Sequence, residues 1–346
     1  MSIRIALLAL AASLCLSANS YAETVKLNPD HPDTHVVVKG DTLWDISAKF
    51  LRDPWLWPEI WHVNPDIKNP HLIYPGDVIS LIWRDGKPML QVQRGPRTVK
   101  LSPNARATRL DTAIATIPAN VIGQFLSRPR ILTESELSGA GFISYAEEDH
   151  LISGTNSKVY ASNLRQDENK DFSIYRLGNV YRNPADKDDI LGYEAIHVSD
   201  AKLEREGDPA TLRIVESYRE TLLGDKVLAT DEEELDQSFT PQAVEGNASG
   251  HVIGVLEGMS RAGQYQTIVL NLGEQDGMEL GHVLAVRQKG EIRENKESPS
   301  FFKPKIQLPD ERAGIVMIVN TFERVSYALV MSATKDIRVG DPVTKP

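Results

Sequence analysis

Cysteine is almost missing: the 346 residues contain one, Cys15. No intramolecular disulfide and no cysteine-based zinc cluster can form, so stability must come from packed cores. Histidine is sparse too. The eight histidines, at 31, 35, 62, 71, 150, 197, 251 and 282, make no H-x-H and no H-E-x-x-H, which removes the common zinc-peptidase signatures. Basic charge is in deficit, with 38 Lys and Arg against 48 Asp and Glu and a net charge of −10. That balance excludes nucleic acid as an expected partner, because phosphate binding needs a basic footprint. No phosphate loop and no G-x-G-x-x-G occurs, so no nucleotide cofactor is expected. Tryptophan is absent after residue 83: Trp44, Trp55, Trp57, Trp61 and Trp83 crowd into one short segment. What remains, 25% charged and 41% hydrophobic, is ordinary for a folded protein of two or three domains.

The N-terminus reads as an address. Arg4 precedes an apolar run from Ile5 to Leu16, followed by Ser17-Ala18-Asn19-Ser20-Tyr21-Ala22. A positive start, about a dozen apolar residues and a small-x-small end describe a cleavable signal peptide, with cleavage expected after Ala22. The run is too short for a permanent membrane span, so no transmembrane segment is expected after cleavage. Leu14, bulky where a lipoprotein signal has a small residue, argues against lipidation of Cys15. The mature chain is then free of thiols and carries a net charge of −11, since Arg4 is lost and no acidic residue goes with it. Export without cysteine fits a bacterial envelope, most simply the periplasm, better than a disulfide-rich secreted domain.

Beyond the signal the chain divides by composition. Residues 23–34 read as a tether with Pro29 and Pro32, and 35–83 are compact and aromatic. Residues 84–133 read as a basic linker, with a short strand at Met89–Val92 and a short helix that places Ile117, Val121, Ile122, Phe125 and Leu126 on one face. Its first part, Arg84 to Arg109, has seven cations against Asp85. From 134 onward short β-rich runs alternate with Gly, Asp, Asn and Pro turns, as in barrels or sandwiches. Two β-rich domains are expected, 134–235 and 236–346, and they look like copies. Val159-Tyr160, Ile174-Tyr175-Arg176, Ala195–Val198, Arg213–Ser217 and Gly224-Asp225-Lys226-Val227 parallel Val269-Leu270, Leu284–Arg287, Ile315–Val319, Tyr327–Met331 and Gly340-Asp341-Pro342-Val343. Pairing Gly192 with Gly314 leaves the first copy six residues longer, an excess that Glu204–Pro209 could supply as a hairpin loop.

In the tryptophan-rich segment, His35–Lys39 predicts a strand, and Gly40-Asp41 turns it into a helix opened by Thr42-x-x-Asp45, a capping-box-like start. Leu43, Ile46 and Phe50 form its buried stripe. Asp53-Pro54 starts a second helical region with Trp57, Ile60 and Trp61 inward, and Asn64-Pro65 ends it. Tyr74-Pro75-Gly76-Asp77 is a turn into a strand at Val78–Leu81, giving β-α-α-β.

This segment resembles the LysM module. The resemblance rests on Val37-Val38-Lys39-Gly40-Asp41-Thr42-Leu43-Trp44-Asp45-Ile46-Ser47, on Asn64-Pro65 and on Asn69-Pro70-His71-Leu72-Ile73-Tyr74-Pro75-Gly76-Asp77-Val78-Ile79. Leu51 to His62 departs from it, being longer and richer in Trp and Pro. The resemblance implies binding of N-acetylglucosamine glycans, in bacteria peptidoglycan, without catalysis by the module. It places the groove between Gly40-Asp41-Thr42-Leu43 and Asn69-Pro70-His71-Leu72-Ile73, where glycine admits a close backbone approach and Leu43, Leu72 and Ile73 would form an apolar floor. Trp44, Trp57 and Trp61 read as core before sugar platform, because a small domain needs large side chains to bury enough area. Trp55 and Trp83 fit either an exposed or a core-capping position. No ligand-spaced partner accompanies His62 or His71, so no metal is expected.

The remainder shows no recognisable catalytic set. A thiol nucleophile is excluded in the mature chain. Ser199-Asp200-Ala201-Lys202 matches S-x-x-K, but no Ser-Asp-Asn or Lys-Thr-Gly follows. Glu134-Ser135 and Glu216-Ser217 resemble the Glu-Ser of lytic transglycosylases without the long helical domain that holds such an acid. The expected architecture is therefore multidomain, α+β then all-β: a βααβ LysM module followed by two related small β-barrels or sandwiches. The expected function is non-catalytic peptidoglycan binding, with the β-rich region contacting an envelope protein. The alternative is a wall-modifying hydrolase that LysM targets to its substrate.

Overall fold

The computed structural model describes residues 25–61, 73–94, 130–147, 152–165, 170–230, 240–244, 246–256, 260–290, 292–294 and 305–346. The expected signal peptide and the helix expected over 117–126 lie outside the described residues. The chain divides into two compact units, Met1–Ala113 and Ile114–Pro346.

In the first unit, β1 (Thr34–Val36) leads to α1 (Leu43–Phe50), a 3-10 turn at Pro54–Leu56 and α2 (Trp57–Ile60). Strands β2 (Val78–Arg84) and β3 (Lys87–Gln93) follow, and the antiparallel sheet runs β1-β2-β3. Thr42 caps α1 by accepting the Asp45 N–H at 3.1 Å, and its hydroxyl donates to the Asp45 carboxylate at 2.8 Å. Leu43, Trp44, Ile46 and Phe50 are buried on the inner side of α1. Trp55, Trp57 and Trp61 join them in the core, with Trp57 and Trp61 edge to face at 5.9 Å.

Two sequence expectations change here. Residues 87–93 are no linker strand: β3 pairs with β2 along its whole length, from Val78↔Gln93 to Arg84↔Lys87. Asp85 and Gly86, both at positive φ, close the hairpin, as a two-residue turn matched to strand twist requires. Pro88 is tolerated because β3 is an edge strand. The tether is also partly anchored. Leu27 bridges Leu51, the Asn28 N–H donates to the Phe50 carbonyl, and the Arg52 N–H donates to the Lys26 carbonyl.

The second unit contains two closed β-barrels. The first uses β5 (Gly141–Ala146), β6 (Lys158–Ser162), β7 (Asp171–Asn183), β8 (Asp186–Arg205), β9 (Ala210–Ser217) and β10 (Lys226–Ala229). The second uses β12 (Ser249–Val255), β14 (Thr267–Leu270), β15 (His282–Gln288), β18 (Glu311–Thr321), β19 (Ser326–Ala333) and β21 (Pro342–Thr344). In each, the first strand pairs with the second, the second with the fifth, the fifth with the fourth, the fourth with the third, the third with the sixth and the sixth with the first. All these pairs are antiparallel. Short β4 (Arg130–Leu132) extends the first sheet beside β8, and β11 (Gln242–Ala243) extends the second beside β15, while β13 (Arg261–Ala262) pairs with β20 (Ile337–Arg338) and β16 (Ile292–Glu294) with β17 (Lys305–Gln307) in two small separate sheets.

The likeness reaches individual residues. A bulge follows Ile143 in β5 and Val252 in β12 at the same point of the ladder. Turns with a positive-φ residue, Asn156 and Tyr265, precede the second strands. The turns into the sixth strands match as well: Asp225 accepts the Leu222 N–H and Asp341 the Arg338 N–H, each at 2.8 Å. The inner faces are apolar, with Ile143, Val159, Phe172, Ile174, Ala201, Leu212, Ile214 and Val227 in the first barrel. Val252, Ile268, Leu284, Val286, Val316, Ala328, Val330 and Val343 fill the second.

The pairing of Gly192 with Gly314 does not hold. Ile174 faces Ser199 as Val286 faces Gly314, so Ser199 occupies the place of Gly314. With that register the segments Ser199–Gly224 and Gly314–Gly340 differ by one residue, and the six-residue excess disappears. Gly192 belongs instead to a hairpin arm, where β7 and β8 run on beyond the first barrel. The arm lies against the second barrel: a Cβ on Gly254 would stand 2.7 Å from the Tyr181 ring. Arg324, in the β18–β19 hairpin, donates to both Asp189 oxygens at 2.8 and 2.7 Å.

Candidate glycan-binding site

The loop after β1 is built on a glycine and an aspartate. Gly40 has φ +101°, and a Cβ there would meet nothing within 4 Å, so the backbone is strained for other residues and open to a ligand. Asp41 closes the turn on itself. Its N–H donates to the Val38 carbonyl at 3.1 Å, and its carboxylate accepts the Val38 N–H at 3.0 Å and a His35 Nε2 contact at 2.8 Å. Burial alone would raise the Asp41 pKa, but the Val38 N–H, His35 and the Lys49 charge together hold it below the ordinary carboxylate value.

A second turn of the same form stands beside it. Gly76 has φ +94°, the Asp77 N–H donates to the Tyr74 carbonyl at 3.0 Å, and the Asp77 carboxylate accepts the Tyr74 N–H at 3.1 Å. Arg94 pairs with Asp77 at 3.0 Å and lies 5.3 Å from the Tyr74 ring centre. Val37 ties the turns together: its N–H donates to the Asp77 carbonyl at 2.9 Å, and its carbonyl accepts the Gly76 N–H at 2.8 Å. The outcome is a wall of fixed backbone with Val38, Lys39, Gly40 and Gly76 exposed.

Of the expected contact residues, Gly40 and Asp41 lie on this wall. Thr42, Leu43 and Ile73 are buried inside the domain. Their side chains therefore cannot form an open apolar floor, and from these positions only backbone atoms can meet a ligand. Asn69, Pro70, His71 and Leu72 lie outside the described residues. Trp44, Trp55, Trp57 and Trp61 are core, while Trp83 is 63% exposed.

Residues 35–81 match the family model described as LysM domain. This segment is a LysM domain. Its βααβ order is the one described above, and β3 is an addition beyond the matched residues. Two curated relatives share sequence with the chain. Uncharacterized protein YqbP of Bacillus subtilis (strain 168) is 40% identical over 60 residues, 14% of this chain and 27% of YqbP. An endolysin of Bacillus phage B103 is 33% identical over 94 residues, 27% of this chain and 35% of the endolysin. The chain thus spans about a third or less of the length of either relative.

Outside the LysM domain, a Ser/His/Asp grouping comes together in the first barrel. Asp200 accepts the Ser173 hydroxyl at 2.8 Å and stands 3.0 Å from His197 Nε2. The serine is thus bonded to the carboxylate rather than to the imidazole, and His197 is buried beside the Tyr175 and Tyr218 rings. Ser199 and Lys202 of the S-x-x-K match lie on one strand, where a three-residue spacing puts them on opposite faces. Ser199 bonds Thr221 at 2.8 Å, and Lys202 pairs with Asp171. Glu134 and Ser135 belong to the six-residue α3 (Glu134–Gly139). Among the described residues no group of three His, Cys, Asp or Glu could hold a metal ion. No described helix is long and apolar enough to cross a membrane.

Proposed function

We propose that this is a bacterial envelope protein, exported by its N-terminal signal to the periplasm, whose LysM domain grips peptidoglycan without cleaving it. The paired barrels act as a rigid platform for another envelope protein. The observation that carries the reading is the LysM domain itself, with its two Gly–Asp turns joined through Val37 into a backbone wall. An N-acetylated sugar presents an amide, and fixed N–H and carbonyl groups are the complement such a group needs. The shared strand order, bulge and turns support reading the barrels as copies of one duplicated unit. Mature protein should co-sediment with purified peptidoglycan sacculi; failure at both low and moderate salt would reject the proposal. Crosslinking in intact envelopes should capture a partner on the barrels.

A second reading, a wall hydrolase targeted by LysM, is favoured by the similarity to a phage endolysin. It requires release of soluble muropeptides from sacculi.

A further inference from the structure

We propose that the β2–β3 hairpin tip is a second glycan contact, in which Trp83 and Pro88 stack on a sugar ring beyond the wall formed by the Gly40 and Gly76 turns. The inference rests on reading the LysM domain as glycan-binding. Trp83 is the exposed member of a tryptophan set whose other four are core. The flat apolar ring of its indole suits the C–H face of a pyranose. Pro88 lies directly opposite it across the strands, so the two rigid rings share one face of the tip. The face is held still by the Asp85-Gly86 turn and by seven ladder pairs.

Charge points to the wall as well. Arg84 and Lys87 oppose each other on the other face of the tip, and neither has a carboxylate partner among the described residues. Like charges facing across a ladder destabilise it, and an anionic polymer relieves the repulsion. Peptidoglycan, whose stem peptides carry carboxylates, supplies both the sugar face and the charge.

Spacing makes the two contacts one binding path. The Gly76–Asp77 turn leads into β2 at Val78, and Trp83 is five residues further along the strand, or about 17 Å. A short oligosaccharide can occupy the wall of the Gly40 and Gly76 turns alone, whereas a longer one can also reach the indole.

The test uses the mature full chain with N-acetylglucosamine trimer and hexamer, sacculi, and vesicles of phosphatidylglycerol. The hexamer should shield Trp83 from a fluorescence quencher and the trimer should not. Trp83→Ala should weaken hexamer binding about tenfold and leave trimer binding and thermal stability unchanged, with Trp83→Phe restoring most of the loss. Arg84→Gln with Lys87→Gln should weaken sacculus binding at low salt about two- to fivefold. Equal effects of Trp83→Ala on trimer and hexamer, or none on either, overturn the inference. Protection of Trp83 by vesicles but not by hexamer or sacculi also overturns it, in favour of a membrane contact. If the wild type binds neither oligomers nor sacculi, the glycan reading of the LysM domain falls first.

Discussion

Arg324 of one barrel holds Asp189 of the other barrel's hairpin arm in a two-pronged grip, with nitrogen–oxygen distances of 2.8 and 2.7 Å. The Arg324 and Asn183 hydrogen bonds lower the Asp189 pKa to about 2, against about 3.9 for a free aspartate. The unfolded chain therefore binds this proton more readily. The contribution is complete above the free-aspartate value and is lost as the pH falls through about 2. Asp189→Asn should flatten the loss of stability between about pH 4 and 2, measured by circular dichroism along an acid titration. At neutral pH the change should be small, because both side chains are about one-third exposed.

The arm's seat on the second barrel depends on a missing side chain. Gly254→Val would drive atoms into the Tyr181 ring, already 2.7 Å from the position of a first carbon. Such overpacking should cost about 1–3 kcal/mol, read as a lower denaturation midpoint. A double variant with Tyr181→Ala should cost less than the sum of the singles, because the clash is then gone.

Matching turns offer an internal control. Asp225 accepts the Leu222 N–H and two Arg176 bonds at 3.0 and 2.9 Å, whereas Asp341 accepts the Arg338 N–H and a neutral Gln288 bond at 3.0 Å. Asp225→Ala should cost about 2–4 kcal/mol and Asp341→Ala about 1–2, since bonds to charged groups are worth more. Denaturant titration of each variant checks the order.

In the LysM domain, Asp41→Ala removes the acceptor for Val38 and the partner of His35. A cost of about 1–2 kcal/mol is expected, together with weaker sacculus binding as the Gly40 loop loses its shape. Because folding lowers the Asp41 pKa, its contribution is present above the ordinary carboxylate range and fades as the pH drops below it. Stability of the wild type should therefore depend on pH more steeply there than that of the variant.

Thr42→Ala deletes a buried helix cap and should cost about 1 kcal/mol. Since Thr42 is buried, binding should fall only with the folded fraction. A larger loss of binding at full folding would show that its hydroxyl meets the glycan directly.

The LysM domain was readable because its signals are local. Gly40-Asp41-Thr42 and Tyr74-Pro75-Gly76-Asp77 specify turns and a cap within a few residues, and the structure places them so. A strand at Met89–Val92 was legible, but its place in the LysM sheet was not, because Pro88 and the flanking cations read as linker and only an edge position permits them. Burial of Leu43 was legible from its helical spacing with Ile46 and Phe50, whereas burial of Ile73 was hidden, since one apolar residue suits a core or a groove until its neighbours are placed. The barrel strands announced themselves as alternating runs, but their register did not. β8 spans twenty residues and serves both a barrel and an arm, so nothing local marks where one role ends and Gly192 ceased to be a landmark.

Both barrels close their hydrogen-bond ladders into rings, which leaves little spare backbone for an incoming strand. The sheets end at β4 and β11, only three and two residues long. A partner that docks by adding a strand would find almost no template on the closed rings themselves. Recognition on this platform must be written in side chains, and so two copies of one topology can bind different things simply by changing what faces outward.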